Sequence, residues 1–141
     1  KLLEAGVREV VMVCPNCYAF LKDKLSVPVI SIYEKLQELG LGNRIMEEQN
    51  IFLPCPDREK RELLKQIRPF LTAEPKILSS ANCCGLGGCA ALKEPELAAQ
   101  MAKSAGSIQN TSVYCASCAG NLTRAGGKNI KHLLEEKKCR M

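Results

Sequence analysis

The sequence predicts an α/β fold in which a parallel-rich sheet is flanked by helices. Short apolar, β-branched segments alternate with segments of helical periodicity, and cysteines stand where predicted strands end and helices begin. This alternation is typical of a mostly parallel sheet whose neighbouring strands are joined by helices. Because sites in such sheets gather at the carboxyl ends of the strands, we expect the cysteines to lie close together.

The first predicted strand and helix surround a Cys-x-x-Cys motif. Residues 7–13 are apolar and β-branched, as in a buried strand, and the run ends at Cys14. Pro15 suits the first turn of a helix, and Tyr18 and Leu21 follow at helical spacing.

The second strand and helix follow directly. Residues 27–32 have strand character, and Pro28 favours the start or an edge of that strand. Ser31 is a suitable N-cap for a helix over residues 32–39, and Gly40 is a suitable stop.

The remaining elements repeat this alternation. Asp57 is the predicted N-cap of a helix that carries Leu63 and is broken near Pro69. The predicted strands are residues 51–53, 76–79 and 112–114, and the predicted helices are residues 94–105, a helix from Cys115 through Leu122, and residues 130–138.

The composition is that of a globular protein with many cysteines. Of the 141 residues, 46% are hydrophobic and 25% are charged, with a net charge of +5, which excludes a disordered chain. No apolar run reaches the roughly 18 residues of a membrane span, and no signal-peptide pattern is found. Aromatic residues make up only 4% of the chain and are not interleaved with basic residues, so we expect no nucleic-acid binding. We expect a cytoplasmic location, either free or at the periphery of a membrane complex.

Nine cysteines indicate metal or redox chemistry. An odd number cannot pair completely within one chain. A chain of this length can bury a core without disulfides, and the absence of a secretion signal also favours metal or redox use of the thiols.

An internal repeat relates the two ends of the chain. Three pairs share an offset of 101 residues: Cys14 with Cys115, Cys17 with Cys118, and Leu21 with Leu122. Such self-similarity indicates a duplicated structural unit. We therefore predict that residues 1–45 are the C-terminal half of a first unit and that residues 46–141 form a complete second unit.

The complete unit contains five cysteines in a pattern that suits a metal–sulfur centre: Cys55, Cys83, Cys84, Cys115 and Cys118. A Cys-x-x-Cys at a strand-to-helix turn directs two thiolates at one centre. Adjacent cysteines are awkward ligands for one tetrahedral ion, whereas a multi-iron cluster can bind them on different irons. The glycines that follow, Gly85, Gly87 and Gly88, would let backbone N–H groups approach the sulfurs.

The same residues also permit a zinc-binding, a dithiol or a purely structural interpretation. A Cys-x-x-Cys is often a zinc half-site or a redox dithiol, and a single cysteine is often a buried apolar residue. A zinc-binding structural module and a thiol–disulfide exchanger that uses Cys115 and Cys118 are therefore alternatives, although an exchanger has no use for the other three cysteines. Outside the pattern, we expect Cys89 to be a thiol behind the ligands, Cys139 to be an exposed tail residue and His132 to be a surface residue of the last helix.

The pattern Cys-x(n)-Cys-Cys-Gly-x(n)-Cys-x-x-Cys resembles the cysteine-rich CCG domain family. Segments 4–18 and 82–88 carry the likeness. The domain occurs, usually twice per chain, in the cysteine-rich subunit of heterodisulfide reductase. It also occurs in iron–sulfur subunits similar to those of glycolate oxidase and anaerobic glycerol-3-phosphate dehydrogenase.

The resemblance implies an iron–sulfur subunit of an anaerobic-type oxidoreductase, with electron transfer and disulfide reduction as its activities. It implies that Cys55, Cys83, Cys84, Cys115 and Cys118 hold a [4Fe–4S] cluster of the noncubane type, and that Cys14 and Cys17 belong to a second, incomplete site. The implied partners are an iron–sulfur or flavin subunit and a disulfide or quinone-linked acceptor. Pro56 stands where the family often has His, which leaves the cluster type and zinc open.

Overall fold

The predicted α/β class is confirmed in a computed structural model that describes residues 1–79, 82–87 and 90–136. The strands are β1 (Val10–Met12), β2 (Val29–Ser31), β3 (Asn50–Ile51), β4 (Lys76–Ile77), β5 (Gln109–Val113) and β6 (Lys128–His132). The helices are α1 (Pro15–Leu21), α2 (Ile32–Glu38), α3 (Glu62–Ile67), α4 (Ala90–Lys93), α5 (Pro95–Ala105), α6 (Ala116–Arg124) and α7 (Leu133–Glu136). Two 3₁₀ turns, Cys55–Asp57 and Arg68–Phe70, flank α3.

The strands form two parallel sheets. β1 pairs with β2 in a two-stranded sheet, and the other four are ordered β4-β3-β5-β6. β5 therefore has a strand on each side. β1 has only β2 beside it within the described part of the chain.

The 101-residue repeat extends to strand register. Val10 of β1 lies opposite Val29 of β2, and Thr111 of β5 lies opposite Ile130 of β6, which is the same pairing displaced by 101 positions. The helices that follow each strand begin at equivalent positions as well, α1 with α6 and α2 with α7. The two segments therefore share one β-α-β-α pattern, while the division of the chain at residue 46 stays a prediction.

The prediction of a helix over residues 130–138 is wrong in its first half. Ile130 lies in β6, and the helix α7 covers only Leu133–Glu136, with residues 137 and 138 outside the described part. Pairing with β5 decides the conformation, because Ile130 packs against the buried cluster around Leu122. The repeat indicates a strand at this position, because residue 30 lies in β2 and residue 130 is close to its equivalent in the second unit.

Two local predictions for α2 are confirmed. The hydroxyl of Ser31 accepts a hydrogen bond from the Glu34 backbone N–H at 3.1 Å, as an N-cap does. Gly40 follows the helix with φ +64, a left-handed conformation that glycine adopts without steric cost.

Asp57 binds the start of α3, but it lies several residues before the helix rather than at the predicted N-cap position. The helix begins at Glu62, yet the buried Asp57 carboxylate accepts from the backbone N–H groups of Leu63 and Leu64, both at 2.9 Å. The Tyr114 hydroxyl donates to the same carboxylate at 2.7 Å. Asp57 thus joins the start of α3 to the end of β5, next to Cys115.

Replacing Asp57 with Asn should destabilise the fold by about 2–3 kcal/mol, because a charged acceptor of three buried hydrogen bonds is lost. Urea unfolding followed by circular dichroism measures this change. The matched control is Asp23→Asn at an exposed position, which we expect to stay within about 0.5 kcal/mol of the wild type. Equal stability of the two variants would contradict a structural role for the Asp57 carboxylate.

Two apolar clusters form the core. The first joins the two parts of the chain, because Tyr33 of α2 packs with Leu63, Leu64 and Ile67 of α3. A hydrogen bond of 2.6 Å from the Ser31 hydroxyl to Gln66 crosses the same contact. The second cluster lies behind the cysteines and includes Phe52, Cys84, Val113, Cys115, Cys118 and Leu122. Within the described ranges, no helix is both long enough and apolar enough to cross a bilayer.

Candidate metal centre

The first two predicted ligands lie side by side. Cys55 opens the 3₁₀ turn after β3, Cys83 lies in the loop after β4, and their Sγ atoms are 3.8 Å apart. Cys55 is exposed as a residue, but neighbouring groups desolvate its sulfur and raise its pKa to about 11. The neighbouring thiols of Cys83 and Cys84 raise it further in the same direction, since a thiolate beside them would meet like charge.

The other three predicted ligands form a buried group. Cys115 is the N-cap residue of α6, and Cys118 lies in the first turn of that helix. Cys84 lies next to them in the loop after β4. The Cys118 thiol hydrogen-bonds both Cys84 and Cys115, and this bond is the main reason that the pKa of each is lowered to about 6. The pKa of Cys118 is raised in return, because its single S–H proton is held between the Cys115 and Cys84 sulfurs.

The adjacent cysteines of the loop contact different thiols. Cys83 faces Cys55, whereas Cys84 hydrogen-bonds Cys118 and also lies near enough to Cys55 to raise its pKa. The Gly85 N–H lies 3.3 Å from the Cys83 sulfur, and the Asn121 side chain of α6 donates to the Cys84 carbonyl. The loop is therefore tied to both groups of thiols.

Gly85 is required by the close approach of α5. Its φ is +83, and a Cβ built on it would lie 2.6 Å from the Ala98 carbonyl oxygen and 3.1 Å from the Ala102 nitrogen. Both the left-handed backbone and the lack of space exclude a side chain at this position. The glycine lets the loop pass the helix and return the cysteines to the cleft.

Cysteines from both parts of the chain line a cleft of about 830 Å³, which we call the cysteine cleft. Six cysteines line it: Cys14, Cys17, Cys55, Cys84, Cys115 and Cys118. Phe20, Leu21 and Leu86 add apolar surface, and none of the described lining residues is charged. The expected convergence of cysteines is thus found, and Cys83 joins it through its contact with Cys55.

Cys14 and Cys17 also line this cleft, in agreement with the expected convergence, although the sequence analysis assigns them to a second, incomplete site. The thiol of Cys17 hydrogen-bonds that of Cys14, which raises the pKa of Cys17. The 101-residue repeat indicates this placement, because the equivalent Cys-x-x-Cys turns follow the equivalent strands β1 and β5. What the repeat does not reveal is that the two turns face each other.

The donor set fits a metal–sulfur group. Cysteine thiolates, usually four, and hydrogen bonds to the sulfurs are features of iron–sulfur clusters. Here five thiols lie beside a largely apolar cleft, and a backbone N–H is directed at one sulfur. Among residues 1–79, 82–87 and 90–136, no group of three or more His, Cys, Asp or Glu side chains has the arrangement of a single-ion site. Gly88, Cys89 and Cys139, for which the sequence makes predictions, lie outside the described residues.

Comparison with known protein families identifies the same motif. The family described as "CCG: Cysteine-rich domain" matches residues 49–123, which is more than half of the chain. The chain belongs to the CCG cysteine-rich domain family. The match contains the five predicted ligands of the complete unit, and Cys14 and Cys17 lie outside it. No curated protein and no solved structure matches the chain.

The interpretation of His132 as a surface residue of a helix is wrong. In this CCG protein His132 ends β6 and is half-buried, and its Nδ1 accepts from the Leu134 N–H at 3.2 Å. Burial lowers its pKa, because the charged imidazolium would lose hydration. His132 is not among the residues that line the cysteine cleft.

The metal-free CCG domain should titrate near pH 6. Since the pKa of Cys84 and of Cys115 is lowered to about 6, thiolate should form well below the pH of an ordinary thiol. Ultraviolet thiolate absorbance measures it, and Cys118→Ala should move the transition upward because the donated hydrogen bond is lost. The lowered pKa values of Cys84 and Cys115 depend on the same Cys118 proton and act as a pair. The stability that this pair adds is present at high pH and is lost as pH falls through about 6, so the metal-free protein should be less stable at pH 5 than at pH 8. A thiolate transition unchanged in the Cys118 variant would contradict this coupling.

Proposed function

We propose that this CCG domain holds an iron–sulfur cluster and serves as an electron-transfer subunit of an oxidoreductase. The observation that carries the proposal is the divergence of the two adjacent cysteines, with Cys83 facing Cys55 and Cys84 facing Cys118. Sulfurs spread in this way suit a group with several metal atoms better than one tetrahedral ion. When bound, such a cluster supplies one-electron redox chemistry at the cleft.

The residues of the chain have distinct tasks in this proposal. The ligands are Cys55, Cys83, Cys84, Cys115 and Cys118. Cys84 and Cys115 favour thiolate near neutral pH, the form that binds metal. The Gly85 N–H donates toward the Cys83 sulfur, and Phe20, Leu21 and Leu86 reduce the contact of the centre with water. Hydrogen bonds and apolar surroundings of this kind set the reduction potential of a cluster.

The proposal extends to a role like that of the cysteine-rich subunit of heterodisulfide reductase. On this basis the cluster is of the noncubane [4Fe–4S] type, the partners are an iron–sulfur or flavin subunit, and the acceptor is a disulfide or is quinone-linked. The location is cytoplasmic or at the periphery of a membrane complex. Pro56, in place of the usual histidine after the first ligand, makes the cluster type the first property to determine.

Metal and acid-labile sulfide analysis of protein purified without oxygen tests the proposal. We expect iron and sulfide near about four per chain. Zinc near about one per chain without sulfide would instead identify a structural zinc module. Redox activity that survives complete removal of metal would identify a thiol–disulfide exchanger.

We also propose that residues 1–45 are the C-terminal half of a first CCG unit. The shared register of β1–β2 and β5–β6 supports this. Cys14 and Cys17 are then two ligands of a second, incomplete site. Replacement of Cys17 should therefore leave the metal content of the complete unit unchanged, and loss of that metal would contradict this division.

A further inference from the structure

Arg58 connects the two chain segments that carry Cys55 and Cys83. It ends the 3₁₀ turn that begins at Cys55, and its backbone N–H lies 3.4 Å from the Cys55 carbonyl oxygen. Its guanidinium donates from Nη2 to the Leu53 carbonyl at 3.0 Å and from Nη1 to Asn82 Oδ1 at 3.2 Å. Leu53 precedes Cys55 by two residues, and Asn82 directly precedes Cys83.

The guanidinium group suits this bridging position. Its planar fork can donate to two acceptors in fixed directions, which the single ammonium of lysine does not reproduce. The group also lies over the Phe52 ring, with 5.6 Å from Cζ to the ring centroid, a contact that further limits its movement. The bridge therefore joins the two loops that follow the paired strands β3 and β4, beside sulfurs that are 3.8 Å apart.

We propose that Arg58 is a positioning residue that holds the Cys55 and Cys83 thiols side by side and places a positive charge next to them. In the metal-free protein the bridge keeps the two sulfurs within reach of each other. The next step rests on the proposed iron–sulfur function. In the protein with its cluster bound, the positive charge of Arg58 would favour the reduced form of the cluster, because that form carries one more negative charge.

The first test needs no cluster. Metal-free protein is equilibrated with glutathione and glutathione disulfide, which oxidise two protein thiols to one disulfide and release two glutathione thiols. Mass spectrometry of the Cys55–Cys83 peptide then gives the effective concentration of the two thiols. We expect Arg58→Gln to lower it about tenfold. Asn82→Ala, at an exposed position, should lower it by a smaller factor without risk to folding.

The matched control is Arg44→Gln, which removes the same charge from an exposed residue outside the cysteine cleft. We expect it to behave as the wild type. Equal effective concentrations in the wild type, Arg58→Gln and Asn82→Ala would overturn the proposal, and so would an equal fall in Arg44→Gln.

The second test measures the midpoint potential of the loaded protein. Arg58→Gln should lower the equilibrium constant for one-electron reduction about tenfold, which corresponds to 59 mV. Arg58→Lys keeps the charge and should recover most of this shift while the glutathione measurement stays low. An unchanged potential in Arg58→Gln would refute the role of the charge. If the wild type binds neither iron nor sulfide, the iron–sulfur proposal fails, and the glutathione measurement alone decides the role of Arg58.

Discussion

Cys118→Ser should prevent binding of the proposed iron–sulfur cluster, with iron and sulfide falling about tenfold or more. Cys118 is buried and hydrogen-bonds two other predicted ligands, Cys84 and Cys115. Serine supplies no thiolate, so the variant removes one predicted ligand and replaces the thiol whose hydrogen bonds lower the pKa of the other two. Metal and sulfide analysis of protein purified without oxygen measures the effect.

Cys17→Ser is the matched control, because Cys17 occupies the equivalent position of the first Cys-x-x-Cys motif. It lines the same cleft, but its thiol hydrogen-bonds Cys14 rather than the buried group. We expect full metal content in this variant. Equal loss in both variants would show that the two motifs share one centre, and retention in both would exclude Cys118 as a ligand.

The Gly85→Ala variant should lose about 2–5 kcal/mol of stability, the sum of a left-handed backbone penalty and of overpacking. At φ +83 a Cβ would meet the Ala98 carbonyl oxygen at 2.6 Å, and backbone cannot move aside as a flexible side chain can. Either the loop or α5 must shift, and a shift of the loop displaces Cys83 and Cys84. We therefore expect reduced metal content together with a lower midpoint in urea unfolding.

Gly87→Ala separates the steric cause from a general intolerance of the loop. Gly87 lies two residues farther along, and a Cβ there would meet nothing within 4 Å. Its stability should stay within about 0.5 kcal/mol of the wild type, and its metal content should be unchanged. If Gly85→Ala were as stable as Gly87→Ala, the position of α5 against the loop would be wrong.

Much of the fold follows from local sequence signals. The Ser31 cap, the Gly40 stop and the start of α1 at Pro15 lie where the sequence predicts them, because each depends on contacts within a few residues. Two errors have a common cause. The long reach of Asp57 to α3 and the strand conformation of residues 128–132 both depend on partners that are distant in sequence, Tyr114 and β5. Local propensity contains no information about such partners.

The cysteine spacing by itself indicated the family. The alternation of strand-like and helix-like segments indicated the parallel α/β class and the expectation that thiols lie together at strand ends. They could do so because ligand spacing and strand–helix alternation are properties of chain order. Only the tertiary structure decided that Cys83 and Cys84 face different thiols, that Arg58 bridges the first two ligand loops and that both Cys-x-x-Cys turns line one cleft. These features depend on how loops far apart in sequence approach one another, which is set by the packing of α5 against the Gly85 loop and of α2 against α3.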